Sequence, residues 1–318
     1  MIDVLKPGLI SSFQDLGRWG HQPLGVPVSG AMDEVSHRLA NLAVGNDEND
    51  ATLEVTMMGP TLRFERAAVL AWAGADLSPT LDGVPVPPFA ATAVPAGATL
   101  QFGRRVAGLR AYVAVQGGYA LAPVMGSAST YARAGFGGHE GRMLRKGDRI
   151  ALKPARAAAT SMPLPSPLSE ALRRRLEPAA PDAPIRVLRG REWVQFGAPA
   201  QQALLGQAWR IGAQSDRMGY RLEGTALERA ARGDILSEPV AFGTVQVPPD
   251  GQPIVLMAER QTSGGYPKIA QVASIELPRL AQRAPGEHIR FAMIEIDEAQ
   301  ALLLMREQTL QALREGRR

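Results

Sequence analysis

Residues 252 to 271 read Gln-Pro-Ile-Val-Leu-Met-Ala-Glu-Arg-Gln-Thr-Ser-Gly-Gly-Tyr-Pro-Lys-Ile-Ala-Gln. An apolar, β-prone run from Ile254 to Ala258 delivers Glu259, Arg260, Gln261, Thr262 and Ser263 to a strand end. Gly264 and Gly265 then turn the backbone beneath Tyr266 and Lys268. A strand end is a rigid mount, and paired glycines let the main chain approach a ligand closely or bend sharply. Glu259 there can act as acid, base or metal ligand. Lys268, if it shares a pocket with Glu259, would stabilise negative charge that develops during a reaction. The competing reading is a hairpin loop whose charges face water.

A second polar segment runs from Ser11 to Asp33 and gathers Ser12, Gln14, Asp15, Arg18, His21, Ser29 and Asp33 around four glycines. Long polar connections of this kind in a compact domain tend to be functional or mobile. Asp15 and Arg18 either contact a ligand or pair to hold the loop. Ser29 followed by Gly30, just before a helix, offers backbone amides to an anion. A third segment, from Gly117 to Arg142, strings glycines into a potential anion nest to which Arg133 and Arg142 would add charge. It matches neither the P-loop nor the Gly-x-Gly-x-x-Gly fingerprint, which excludes a standard nucleotide cradle.

Other chemistries are argued against. The four histidines, His21, His37, His139 and His288, lack paired ligand spacing, so no histidine-rich metal site is expected and no metal ligand is assigned. With no cysteine in the chain, disulfides, thiolate nucleophiles and sulfur-based zinc sites are excluded. No Gly-x-Ser-x-Gly elbow is present. Lys and Arg number 35 against 31 acidic residues, a net charge of +4 with the basic groups scattered, so nucleic-acid binding is not expected. The N-terminus lacks a secretory signal pattern, and no stretch approaches the about 18 apolar residues of a membrane span. A cytoplasmic location is the expectation.

These segments need elements to hold them. Strand patterns occur at Asp3 to Leu5, Ala68 to Trp72, Thr99 to Phe102 and Arg110 to Val115, then at Ile185 to Leu188, Ala208 to Ile211, Gly243 to Val247 and Ile254 to Ala258. A helix is predicted from Asp33, its cap, to Val44, with Val35, Leu39 and Leu42 at helical spacing and Gly45 as the stop. Another begins near Asp297, with Leu302, Met305, Leu310 and Leu313 as its buried stripe. An Ala-, Pro- and Ser-rich tract encloses a short helix opened by Ser166 and Pro167 and closed by Pro178. The predicted organisation is a β domain over 1–155, a linker with a short helix over 156–184, and a β domain plus terminal helix over 185–318. Similar phrases in both halves, Asp15-Leu-Gly-Arg-Trp-Gly and Asp216-Arg-Met-Gly-Tyr among them, suggest duplicated mainly-β units, sandwich or barrel.

The ordered motifs resemble the family of the 5-oxoprolinase C subunit, also described as allophanate hydrolase subunit 2-like or biotin-dependent carboxyltransferase. The resemblance covers nearly the whole chain. It is carried by Gly8 with Ser12-Phe-Gln-Asp-Leu-Gly-Arg18, Gly25-Val-Pro-Val-Ser-Gly-Ala-Met-Asp33, Leu53-Glu-Val, Gly126-Ser127 and Gly137-Gly138. Further on come Asp216-Arg-Met-Gly-Tyr-Arg-Leu-Glu-Gly, Gln246-Val-Pro-Pro-Asp-Gly-Gln-Pro, and Gln261-Thr with Gly264-Gly-Tyr-Pro. Glu259 stands where the family usually has Asp, keeping the charge but lengthening its reach. Ala128 stands where an arginine is often found, removing an anion contact.

The resemblance implies two cyclophilin-like β-barrel domains and a hydrolase subunit that opens the lactam of 5-oxoproline to L-glutamate. ATP and Mg²⁺ would act at the level of a hetero-complex with two partners, a B-type one of related cyclophilin-like fold and an A-type one. Placed on these motifs, catalytic work falls to Glu259, Lys268 and Asp15. Substrate contact falls to Arg18, Ser29, Arg217, Tyr220, Gln246, Gln261, Thr262 and Tyr266. Relatives fused to biotin carboxylases imply an alternative, a biotin-dependent carboxyltransferase component acting on urea or another small amide. The sequence contains no biotinyl-lysine segment of the Ala-Met-Lys-Met kind, which favours the oxoprolinase reading. A regulatory subunit that binds a histidine-kinase inhibitor is a further alternative. The prolyl-isomerase motifs of true cyclophilins are absent.

Overall fold

A computed structural model describes residues 1–154, 170–177, 179–180, 182–230, 233 and 235–316. The chain forms two compact units. The first takes Met1–Arg18, Ser29–Leu176 and Gln308–Arg318, and the second Trp19–Val28 and Glu177–Glu307. Of the tract between them, the helix Glu170–Leu176 is described, whereas Ser166, Pro167 and Pro178 lie outside the described residues.

The first unit is built from two antiparallel sheets. One has six strands in the order Arg149–Ile150, Ile2–Lys6, Thr61–Phe64, Thr99–Gln101, Thr80–Leu81 and Val84–Pro85. The other has five, in the order Ile10–Gln14, Thr52–Thr56, Ala107–Val115, Ala68–Asp76 and Thr92–Val94. Period-two alternation explains how the second sheet is buried on both faces. Leu53, Val55, Leu70, Trp72, Ala111 and Val113 join Ile2, Val4, Leu62 and Phe64 in one core. The intervening Ala71, Ala73, Tyr112 and Ala114 face a second cluster formed with Val35, Leu39 and Leu42 of the helix Glu34–Ala43. Small residues on that face let the helix approach closely. Asp33 caps it as expected, its Oδ1 accepting from Ser36 N at 2.9 Å. Leu310, from the end of the terminal helix Ile296–Glu315, belongs to this second cluster.

The second unit carries one eight-stranded sheet. Its order is His288–Ile289, Trp209–Ile211, Gly219–Glu223, Ile254–Leu256, Thr244–Gln246, Lys268–Val272, Ile185–Arg189 and Phe291–Met293. The two outermost strands are separated in sequence by Arg290 alone, so the sheet curls until its edges nearly meet. That is the geometry of a barrel rather than an open sheet. Among the described residues, Ile185–Arg189 with Phe291–Met293 is the one parallel pairing of this sheet. The fold is therefore mainly β, as the resemblance implied, with the C-terminal helix that the residue spacing predicted. That helix also buries a polar residue the apolar stripe did not anticipate: Arg306, fully buried, donates to the carbonyls of Ser274 and Ile275 at 3.2 and 3.3 Å. Among the described residues no helix is long and apolar enough to cross a membrane.

Candidate functional site

In the second unit, strand pairing brings two distant motifs to one place. Gly219 pairs with Leu256 in antiparallel register, so the turn before the first strand lies beside the residues after the second. Asp216 shapes that turn, its Oδ1 accepting from Met218 N at 2.8 Å and Gly219 N at 3.3 Å. Met257 N then donates to Met218 O, and Glu259 N to Arg217 O. The side chains complete the link: Arg217 Nε donates to Glu259 Oε1 at 2.6 Å, with both residues buried.

Lys268 is recruited elsewhere. Its Nζ lies 2.7 Å from Glu238 Oε1 and 3.5 Å from Glu192 Oε2, while its backbone N–H donates to the same Glu192 oxygen at 2.9 Å. The hydrogen bond from Lys268 holds the Glu238 carboxyl below its ordinary value, and Arg191, also paired with Glu238, acts in the same direction. Lys268 is thus matched with Glu238 and Glu192, two acids that the sequence did not connect to it.

The same run also carries an amide pair. Gln261 Nε2 donates to Gln246 Oε1 at 3.3 Å, and Gln246 Nε2 donates to the Tyr266 carbonyl at 3.5 Å. A side chain at Gly264 would place its Cβ 2.7 Å from Gln246 Nε2 and 3.3 Å from Gln261 Nε2, so the glycine there makes room for the two amides. The Thr262 carbonyl accepts from Val240 N at 3.2 Å. Tyr266 is exposed and, with Leu227, Val247, Pro248, Pro249 and Pro267, lines a cleft of about 730 Å³. Tyr220 differs: it is buried, and its hydroxyl donates to the Arg283 carbonyl at 3.2 Å.

Arg260 is the residue of this run to which the sequence assigned no contact. It is buried, reaches the carbonyls of Val240 and Met257, and lies 5.9 Å from the centre of the Phe242 ring. Burial pushes its pKa down to about 10. The signal in the sequence was its position among polar neighbours at a strand end.

In the first unit Asp15 anchors a loop. Oδ1 accepts from Ser129 Oγ at 2.6 Å, Ser127 Oγ at 2.7 Å and Gly17 N at 2.8 Å, and Oδ2 accepts from Ala128 N at 2.6 Å. Arg18 is fully buried beside it. Nε donates to Val124 O at 2.8 Å and Nη2 to Ser129 O at 2.9 Å, with the guanidinium 4.8 Å from the Phe136 ring centre. Desolvation lowers the Arg18 pKa, with the Asp15 charge opposing. The two residues therefore hold the 124–130 segment from opposite charges. Ser29 has a left-handed φ of 56° and a buried hydroxyl with no partner among the described residues. A buried network missed in the sequence fixes the far end of this loop: Glu54 Oε2 accepts from Met32 N at 2.9 Å and Tyr112 OH at 2.8 Å. Asp15 belongs to the first unit and Glu259 to the second, and each heads its own network.

One carboxylate–histidine group, His139, Glu140 and Asp148, brings its donor atoms within 4.8 Å of one another. Arg142 is bidentate to Asp148 at 2.8 and 2.9 Å and also pairs with Glu140, so these acids already hold a cation.

Residues 24–293, which span both networks of the second unit and most of the first, match the family described as carboxyltransferase domain, subdomain A and B. The chain belongs to that family. It is 38% identical over 299 residues to the 5-oxoprolinase C subunit of Escherichia coli (strain K12), covering 94% of this chain and 93% of the relative. It is also 38% identical to the corresponding 5-oxoprolinase C subunit of Haemophilus influenzae, covering 95% of this chain and 94% of the relative. Urea amidolyase of Saccharomyces cerevisiae is 30% identical over 95% of this chain, which spans only 17% of that longer protein. Among solved structures, Kluyveromyces lactis urea amidolyase superposes with a TM-score of 0.88 at 30% identity, covering 98% of this chain and 20% of that one. TTHA0988 superposes with a TM-score of 0.79 at 36% identity, covering 92% of this chain and 55% of that one.

Proposed function

We propose that this member of the carboxyltransferase subdomain A and B family is one subunit of an ATP-dependent 5-oxoprolinase. It would convert 5-oxoproline to L-glutamate in the cytoplasm, together with a B-type and an A-type partner. The observation that carries this is 38% identity to the C subunit of 5-oxoprolinase along nearly the full length of both chains. A lactam carbonyl is resonance-stabilised and resists water. Phosphoryl transfer to its oxygen makes the carbon electrophilic; one water adds and the C–N bond breaks, leaving the ring carbonyl as an acyl phosphate, and a second water hydrolyses that to carboxylate and phosphate.

This chain's part is to hold the polar small molecule. The Gln246–Gln261 amides offer a neutral hydrogen-bonding edge, the Arg217–Glu259 pair fixes the strand end behind it, and Tyr266 opens onto the adjoining cleft. The carboxylates of these clusters do not suit a Mg²⁺ shell. Glu259 is tied to Arg217, Glu238 and Glu192 to Lys268, and Asp15 accepts four hydrogen bonds. On this reading nucleotide and metal belong to a partner.

The test is to combine the chain with its partners, supply ATP and 5-oxoproline, and measure glutamate. No glutamate from a folded, complete assembly would defeat the assignment. The likeness to urea amidolyase favours a second reading, carboxyl transfer to urea, which predicts turnover only with a carboxylated biotin carrier. Carrier-independent turnover excludes it.

A further inference from the structure

Arg260 carries a charge that its neighbours leave unanswered. Arg217 faces Glu259, and Lys268 faces Glu238 and Glu192. The hydrogen bonds of Arg260 run instead to neutral acceptors, from Nε to Val240 O at 3.2 Å and from Nη1 to Met257 O at 3.4 Å. Among the described residues no carboxylate pairs with it, although the side chain is only 8% exposed. Burial alone depresses its pKa, with no acid offsetting the effect.

A desolvated guanidinium without a counter-charge is unfavourable unless an anion reaches it. Its orientation is fixed. Two nitrogens are tied to carbonyls and one face lies over Phe242, so Nη2 is left as the edge that reaches solvent. Val240 joins that edge to the polar run, because it accepts from Arg260 and donates to the Thr262 carbonyl at 3.2 Å. The adjoining Gln261 amide reaches Gln246. A preset cation next in sequence to the amide pair matches a small molecule that carries both a lactam and a carboxylate.

We propose that Arg260 is a specificity residue that receives the carboxylate of an acidic lactam substrate, the group that separates 5-oxoproline from a neutral amide such as urea. The proposal rests on the oxoprolinase reading. An oxyanion in this position has two sources, the substrate's carboxylate and the nucleotide's phosphates, and the kinetics of the assembled complex separate them.

The experiment compares wild type, Arg260→Gln and Arg260→Lys in the complete complex. KM is measured for 5-oxoproline, for its uncharged carboxamide and for ATP. Loss of one partner of a buried charge pair predicts a rise in the 5-oxoproline KM of roughly 30-fold or more for Arg260→Gln. The ATP KM should hold, and the preference for acid over carboxamide should collapse. Arg260→Lys, which keeps the charge but not the planar fork, should recover part of that preference. An unchanged 5-oxoproline KM, a rise confined to ATP, or equal losses for acid and carboxamide would each overturn the proposal. Where Arg260→Gln fails to assemble, Arg260→Lys decides: wild-type KM and selectivity in that variant also overturn it. A wild-type complex that makes no glutamate defeats the oxoprolinase reading, and this proposal falls with it. Turnover by wild type with unaltered selectivity in the variants defeats the proposal alone.

Discussion

Arg217 and Glu259 are joined twice, by the side-chain hydrogen bond from Nε to Oε1 at 2.6 Å and by the backbone bond from Glu259 N to Arg217 O at 2.8 Å. The backbone bond continues the pairing of two strands past their ends. The side-chain bond locks the emerging loop against the turn. A pair fixed at both levels makes the strand end a rigid mount for the residues that follow.

Breaking that pair takes a close counter-charge from a buried guanidinium. Glu259→Ala should destabilise the protein by about 3 kcal/mol or more, because the buried Arg217 guanidinium loses the carboxylate that accepts from its Nε. Replacing both residues by apolar ones of similar volume should cost less than the single change. Urea unfolding of the two single variants and the double variant gives the coupling directly; additive losses would show that the pair does not act as a unit.

Lys268→Met removes the cation shared by Glu238 and Glu192. Glu238 is held below its ordinary pKa of 4.5 mainly by that lysine. A carboxylate with a depressed folded pKa contributes stability above its unfolded value, and that contribution is lost as pH falls through the folded pKa. The stability gap between wild type and Lys268→Met should therefore be present at pH 7 and shrink below about pH 4.5. Melting temperatures across pH 3–7 check it, and a gap that does not change with pH would refute the pairing as its source.

The helix Glu34–Ala43 was legible because its cap, stripe and stop all lie within one short window, and the strand leading to Ala258 was legible from its apolar run. The Lys268 partners were not: Glu192 and Lys268 are 76 positions apart and meet only through barrel pairing. Asp15 shows the same limit. The sequence displayed its density of polar neighbours, but the hydroxyls that bind it come from Ser127 and Ser129, on a glycine-rich segment whose pattern suggests an anion nest. Arg260 was visible in the run yet indistinct, since it is buried as Arg217 is and only the absence of a carboxylate partner among the described residues sets it apart.

His37 supplies a pH signature for the first unit. It is completely buried, accepts at Nδ1 from Thr52 Oγ1 at 2.8 Å and donates from Nε2 to Glu48 O at 2.9 Å, the tautomer that satisfies both contacts. Burial drives its pKa from 6.5 down to about 4. The unfolded chain therefore binds the proton first as pH falls below 6.5, and stability should decline between 6.5 and 4 by up to about 3 kcal/mol. His37→Gln should flatten that part of the profile in a denaturant series. An identical slope in the variant would assign the decline to other groups.

Gly137 tests how closely the loop packs on the Asp15–Arg18 network. A Cβ there would lie 2.0 Å from the Ser129 carbonyl oxygen and 3.0 Å from Arg18 Nη2, the two atoms that bond each other. Gly126, on the same segment, has a comparable left-handed φ, 79° against 73°, but nothing within 4 Å of its Cβ position. Both alanine variants incur the backbone strain of a left-handed residue, about 1 kcal/mol. Only Gly137→Ala must also displace the Ser129 carbonyl from Arg18, so it should lose about 1–3 kcal/mol more than Gly126→Ala. Equal losses on urea unfolding would mean that the segment yields freely and that Arg18 does not hold it.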